Sequence, residues 1–192
     1  MSTGRMEAFS DGVLAIVITV MVLELPTPHG TTWAALHGAL PVLLSYVLSF
    51  VYIGIYWNNH HHLLHATKHV RGTILWANLH LLFWLSLVPA ATAWMGETHF
   101  SRDAMALYGA ILFMAAIAYT LLVLAILRVE GPGSTIAIAV GADYKGKISL
   151  ATYAVAIAAA FVHPAIAGAL YVVVALIWFL PDRRIERVID RP

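Results

Sequence analysis

A carboxylate inside an apolar run is the first residue of chemical interest. Asp11 follows Arg5-Met6-Glu7-Ala8-Phe9-Ser10 and precedes an uninterrupted apolar stretch from Gly12 to Leu23, with Glu24 just beyond. An unpaired charge at the centre of a membrane helix costs roughly 2.5–3.5 kcal/mol, and less near the interface. Asp11 therefore needs partners. Asn58, Asn59, His60 and His61 end the second apolar stretch, Trp76 and Asn78 open the third, and Arg5 and Ser10 lie beside Asp11 in its own segment. Together they can form a polar clamp that fixes the first helix against its neighbours. The competing role is an acid near a positive helix end that touches lipid headgroups. A second set is His61, His65 and His69 at i, i+4 and i+8, flanked by His60 and His62. Imidazoles in that pattern suit metal binding or proton handling, so a proton- or metal-coupled transporter using His61, His65 and Asp11 is the alternative reading. No carboxylate lies between Glu24 and Glu97 to complete a metal site. His80, deeper in the third stretch, fits a hydrogen-bonded core histidine.

Enzymatic chemistry has no support. The chain contains no Gly-x-Ser-x-Gly, His-Glu-x-x-His or phosphate-loop pattern, and its lack of cysteine excludes thiolate metal sites and cysteine nucleophiles. The expectation is a protein that is not an enzyme and needs no cofactor or bound metal.

Composition places these residues in a membrane. Of 192 residues, 61% are hydrophobic and only 11% charged, where soluble domains carry about 25% charged residues. Mean hydropathy is +0.82. The net charge of +1 says little, because in a membrane protein the location of charge matters more than its sum, and no nucleic-acid partner is expected. Glu7 and Asp11 interrupt the basic region a signal peptide would need, so the first segment is expected to be retained.

A spanning helix needs about 20 apolar residues, which gives spans at about 6–25, 36–58, 72–95, 104–127, 148–162 and 165–180. Pro26 and Pro28 end the first, Thr31 or Thr32 can cap the second, and Pro89 bends the third near Ser86 and Thr92. Gly131 to Lys147 reads as a glycine-containing flexible connector. As one helix, Ile148–Leu180 would be about 50 Å long, against an apolar core of about 30 Å. His163-Pro164 offers the break that yields two spans. Charge chooses between five and six. With six, Arg5, Lys68, Arg71, Arg128, Lys145, Lys147, Arg183, Arg184, Arg187 and Arg191 share one side and only Arg102 lies opposite. The positive-inside tendency then puts both termini in the cytoplasm, with the tail arginines near anionic lipid. The chain reads as one six-span, multi-pass domain covering residues 1–192, too small to enclose a pathway alone and better suited to a symmetric oligomer.

On the first span, Ile16, Val20 and Leu23 fall at about 140°, 180° and 120° from Asp11 at 100° per residue. The apolar stripe and the acid point in different directions. From periodicity alone, the stripe reads as ordinary packing or lipid-facing surface.

The motifs in order resemble the transmembrane protein 175 family of potassium channels. They are Arg5-x-x-x-Phe9-Ser10-Asp11, Gly12-Val13-x-Ala15-Ile16-x-x-Thr19, Tyr56-Trp57-x-Asn59-His60-His61, Trp76-x-Asn78-Leu79, Ser86-Leu87-x-Pro89 and Trp178-x-x-Pro181. The single six-span unit is similar to the prokaryotic members. The resemblance implies a homotetramer in the cell membrane, with a pore at the four-fold axis lined by the first helix of each subunit. It places a hydrophobic constriction on Ile16, with Val20 and Leu23 beyond it, and assigns Thr19 to selectivity. Four copies of that stripe could gate by dewetting. K+ is then the permeant ion, with other monovalent cations as further candidates. No Thr-Val-Gly-Tyr-Gly filter occurs, so selectivity for K+ over Na+ is expected to be modest.

Overall fold

The computed structural model describes residues 2–27, 32–141 and 143–179, and all its regular structure is helical. The expectations that fall on Pro28, Thr31 and the tail from residue 180 lie outside the described residues. Helix α1 (Thr3–Leu23) is followed by a single turn, α2 (Ala34–His37), and the long α3 (Leu40–His65). Pro41 sits in the first turn of α3, where its missing N–H breaks no ladder bond. The helix runs on through His60–His62, past the expected end of the second span near residue 58.

The third apolar stretch is two helices, α4 (Gly72–Ser86) and α5 (Val88–Glu97), separated at Leu87. Pro89 cannot donate to the ladder, and the Leu87 N–H bonds back to Trp84 O at 3.3 Å. Ser86 Oγ donates to Phe83 O at 2.7 Å and so satisfies a carbonyl at the break. Helix α6 (Arg102–Glu130) extends the fourth stretch at both ends.

The segment after α6 is a correction. It contains α7 (Thr135–Val140), and α8 (Tyr144–Ala160) already begins within it. Ser134 Oγ accepts the Ala137 N–H at 3.2 Å and Asp143 Oδ1 accepts the Gly146 N–H at 3.1 Å, two side-chain caps that start these helices. The chain breaks at His163, and α9 (Pro164–Phe179) starts with proline at its first position.

Among the described residues, four stretches are long and apolar enough to cross a membrane: α1, α3, α4 with α5, and α6; α9 is a shorter apolar helix. The chain is a multi-pass membrane protein. Helix α6 is the centre of the packing, touching α4 and α5 on one side and α8 and α9 on the other, while α1 packs on α3, α4 and α5. Ala104, Ala115 and Ala118 are fully buried on α6 and let neighbouring backbones approach. Gly96 does the same for α5 on α3: a Cβ there would lie 2.6 Å from Val42 Cα. Between α3 and α9, Tyr52 Oη donates to Tyr171 O at 2.6 Å, so the buried hydroxyl is satisfied.

Candidate functional site

Helix α1 has two unlike faces. Met6, Ser10, Leu14, Val17 and Met21 are buried, a spacing of four, four, three and four that keeps one side of the helix against the subunit. Opposite them, Ile16 is 63% exposed and Leu23 is 80% exposed, with Val20 at 38%. Thr19 is also exposed, and its hydroxyl donates to Ile16 O at 2.9 Å, so its lone pairs remain available on the outward side. Gly12 belongs to the same face, with nothing within 4 Å of the position a Cβ would occupy. All four residues expected to line a pathway are thus unpacked within their own subunit.

The polar residues meet on the other side of α1. Ser10 Oγ donates to Met6 O at 2.9 Å, and the same oxygen accepts from Asn78 Nδ2 at 2.9 Å. Asn78 Oδ1 lies 2.7 Å from His60 Nε2. Ser10, His60 and Asn78 are 0%, 1% and 2% exposed, so the chain is dry and links α1, α3 and α4. With Asn78 Nδ2 donating to Ser10, Asn78 Oδ1 faces His60 and pairs with a protonated Nε2, while Nδ1 points away from Asn78. That Nδ1 is buried without a hydrogen-bond partner among the described residues.

Asp11 sits at the edge of this network. Its Oδ1 accepts from Trp57 Nε1 at 3.0 Å, a second tie between α1 and α3. Glu7, one turn earlier, places Oε1 2.8 Å from His61 Nδ1. The Trp57 and His61 rings stack with centroids 6.0 Å apart, so the two acids of α1 meet one continuous aromatic surface on α3.

Not every expected clamp residue joins. Asn59 Nδ2 donates to Ile55 O of its own helix at 2.8 Å. Trp76 is 75% exposed, two residues from Asn78 and hence on the far side of α4. Arg5 is exposed and lies on the same outward side of α1 as Phe9 and Ile16.

The histidine run is also revised. Helix α3 ends at His65, so His69 does not continue the face of His61 and His65. Glu130 at the end of α6 takes His69 instead: Oε1 accepts the N–H groups of Lys68 and His69 at 2.9 and 2.8 Å and lies 3.6 Å from His69 Nδ1. Among the described residues, no three His, Asp or Glu side chains are gathered as metal ligands. His80 Nε2 accepts from Trp84 Nε1 at 3.0 Å within α4.

The sequence that builds this arrangement is similar to those of known proteins. The family model for "Endosomal/lysosomal potassium channel TMEM175" matches residues 5–89, the stretch that holds α1, α3, α4 and every member of the buried network. A potassium channel of Chryseobacterium sp. (strain P1-3) is 56% identical over 187 residues, covering 97% of both chains. The chain belongs to the TMEM175 family. This family member is also similar to the human endosomal/lysosomal proton channel TMEM175, 40% identical over 96 residues that cover 43% of this chain and 19% of the human one. In three dimensions it resembles the crystal structure of a TMEM175 homolog from Chamaesiphon minutus, titled a lysosomal potassium-selective channel. The TM-score is 0.79 at 30% identity, covering 95% of this chain and 97% of that one. The TMEM175 family comprises ion channels, and the chain is a channel-family membrane protein, not an enzyme.

Two partners in this TMEM175-family site escape sequence reasoning. Glu7 supplies a carboxylate to His61 from a different helix, although no carboxylate is close to His61 in sequence. Trp57 is the residue that satisfies Asp11, ahead of the more polar Asn59 and His60. Helical spacing holds the only available signal: Glu7 and Asp11 are i, i+4 on α1, as Trp57 and His61 are on α3.

Proposed function

We propose that four copies of this chain form a potassium-permeable channel in the cell membrane, with α1 of each subunit lining the pore. The observation that carries this reading is the exposure of Ile16, Thr19 and Leu23 on a helix whose opposite face is packed and hydrogen-bonded. Thr19, whose hydroxyl proton is bonded to Ile16 O, presents its oxygen lone pairs on this face, where they would serve a dehydrating ion. In this reading each subunit has six spans (α1, α3, α4 with α5, α6, α8 and α9) and both termini are cytoplasmic. Rings of Ile16, Val20 and Leu23 form a hydrophobic constriction, wide enough when hydrated and closed by dewetting when not. Thr19 supplies hydroxyl oxygens, and the absence of a carbonyl filter leaves selectivity for K+ over Na+ modest. The network of Ser10, Asp11, Trp57, His60 and Asn78 holds each α1 at a set distance from the axis. Support also comes from the Chryseobacterium relative, named a potassium channel and aligned over nearly the whole chain.

The test is K+ and Na+ flux through the purified protein in liposomes, with and without an opposing proton gradient. Passive K+ flux exceeding Na+ flux and independent of the proton gradient is the expected result. Flux that requires proton exchange would make His61 and Glu7 the centre of a coupled transporter and overturn the channel reading.

A further inference from the structure

A cavity open to solvent lies among α3, α6, α8 and α9, on elements that do not carry the pathway residues. Its walls include the rings of Tyr56, Tyr119, Tyr153 and Trp178, and Asp143 contributes a carboxylate. The Tyr56 and Tyr119 rings, both wall residues, meet edge to face with centroids 6.2 Å apart. Asp143 holds the left-handed backbone conformation, with φ 43° and ψ 51°, and its carboxylate accepts the N–H of Gly146, also a wall residue, at 3.1 Å.

We propose that this cavity binds an organic ammonium group. Aromatic faces attract cations within about 6 Å of the ring centroid, and the Asp143 carboxylate places a negative charge beside them. A neighbouring lysine already uses this chemistry: Lys145 Nζ lies 6.0 Å from the centroid of Trp178. A hard metal ion is a poor occupant, because it needs six or so oxygen ligands and the wall is mainly aromatic. A neutral apolar occupant would gain nothing from the carboxylate, which already accepts the Gly146 N–H. The ammonium can come from a phospholipid amine headgroup or from a free amine in solution, and both present the same group to the same walls.

The test uses the full-length protein in phosphatidylglycerol nanodiscs, titrated with ethylammonium chloride against KCl at constant ionic strength. Asp143→Asn is the diagnostic variant, because asparagine tolerates the left-handed conformation and still caps α8. The site predicts a saturable rise in apparent melting temperature for the wild-type protein, with at least about tenfold weaker binding in Asp143→Asn, as expected for loss of a charge-assisted contact. Tyr119→Leu, which removes one aromatic wall, should weaken binding similarly and serves if the first variant fails to fold. No rise, or a rise that both variants share with the wild type, overturns the proposal; the latter places the ammonium elsewhere, such as in the ion pathway. Native mass spectrometry after reconstitution in mixed phosphatidylethanolamine and phosphatidylglycerol separates the sources. Phosphatidylethanolamine retained by the wild type and lost from Asp143→Asn identifies the headgroup, whereas the ethylammonium response without retained lipid identifies a free amine.

Discussion

Asn78 Nδ2 donates to Ser10 Oγ across 2.9 Å of buried space, and this bond orders the whole connection between α1 and α4. Once Ser10 accepts, Asn78 must offer its oxygen to His60, and three helices are joined with one consistent set of donors. Asn78→Leu removes both bonds and leaves His60 buried without a partner, while Ser10 keeps its bond to Met6 O. A buried unsatisfied group costs about 1–3 kcal/mol, so the variant should lose stability in that range. The expected outcome is a marked drop in apparent melting temperature and in recovery of the assembled protein on size exclusion. An unchanged melting temperature would show that the network contributes little.

Asp11 and Trp57 form a more exposed tie, with Trp57 46% exposed. Trp57→Phe keeps the ring and removes the donor, at a predicted cost of about 1 kcal/mol, within the range for a single hydrogen bond. Asp11→Ala should lower assembly or expression more than it alters the K+ to Na+ flux ratio. A stable assembly with altered selectivity would place Asp11 in the pathway instead.

The Glu7–His61 pair is suited to a double-mutant cycle with Glu7→Gln and His61→Gln. Its side chains are 23% and 42% exposed, so water screens the interaction and the coupling should stay within about 1 kcal/mol. Coupling well above that value, read from apparent melting temperatures, would mean that the pair is sequestered in the assembly.

Gly96→Ala tests the close approach of α5 to α3. The added methyl would lie 2.6 Å from Val42 Cα and 2.7 Å from Ser45 Oγ. Backbone must yield, at a cost of about 1–3 kcal/mol for an overpacked core. Gly12→Ala, which meets open space within the subunit, should be nearly silent in the isolated protomer. A loss of assembly on Gly12→Ala would locate a neighbouring subunit at that face.

Much of this site is legible in sequence because α1 is a regular helix. Its 3.6-residue period separates Asp11 from Ile16, Val20 and Leu23 before any contact is known, and Asp11 announces its need for a partner by its cost in an apolar run. Pro89 and His163-Pro164 mark real interruptions for a local, steric reason. What sequence does not carry is the register between helices. Glu7 meets His61, and Glu130 meets His69, only because of how α1 slides along α3 and where α6 ends. The same limit separates His69 from His61 and His65: the i, i+4, i+8 pattern holds only while the helix does, and α3 stops at His65. The Gly131–Lys147 segment misleads in the opposite sense, because Ser134 and Asp143 cap helices that glycine content alone argues against.

The outward face of α1 is the central claim, and the natural absence of cysteine makes it directly testable. Single-cysteine variants at Ile16, Thr19 and Leu23, with Leu14→Cys as the buried control, would be reconstituted in liposomes and treated with a charged, water-soluble methanethiosulfonate reagent during K+ flux. The account predicts that modification at Ile16, Thr19 and Leu23 blocks most of the flux while Leu14→Cys is unaffected, because only water-exposed thiols ionise and react. Flux that persists with Ile16→Cys fully labelled, as verified by mass spectrometry, would contradict a pore lined by this helix.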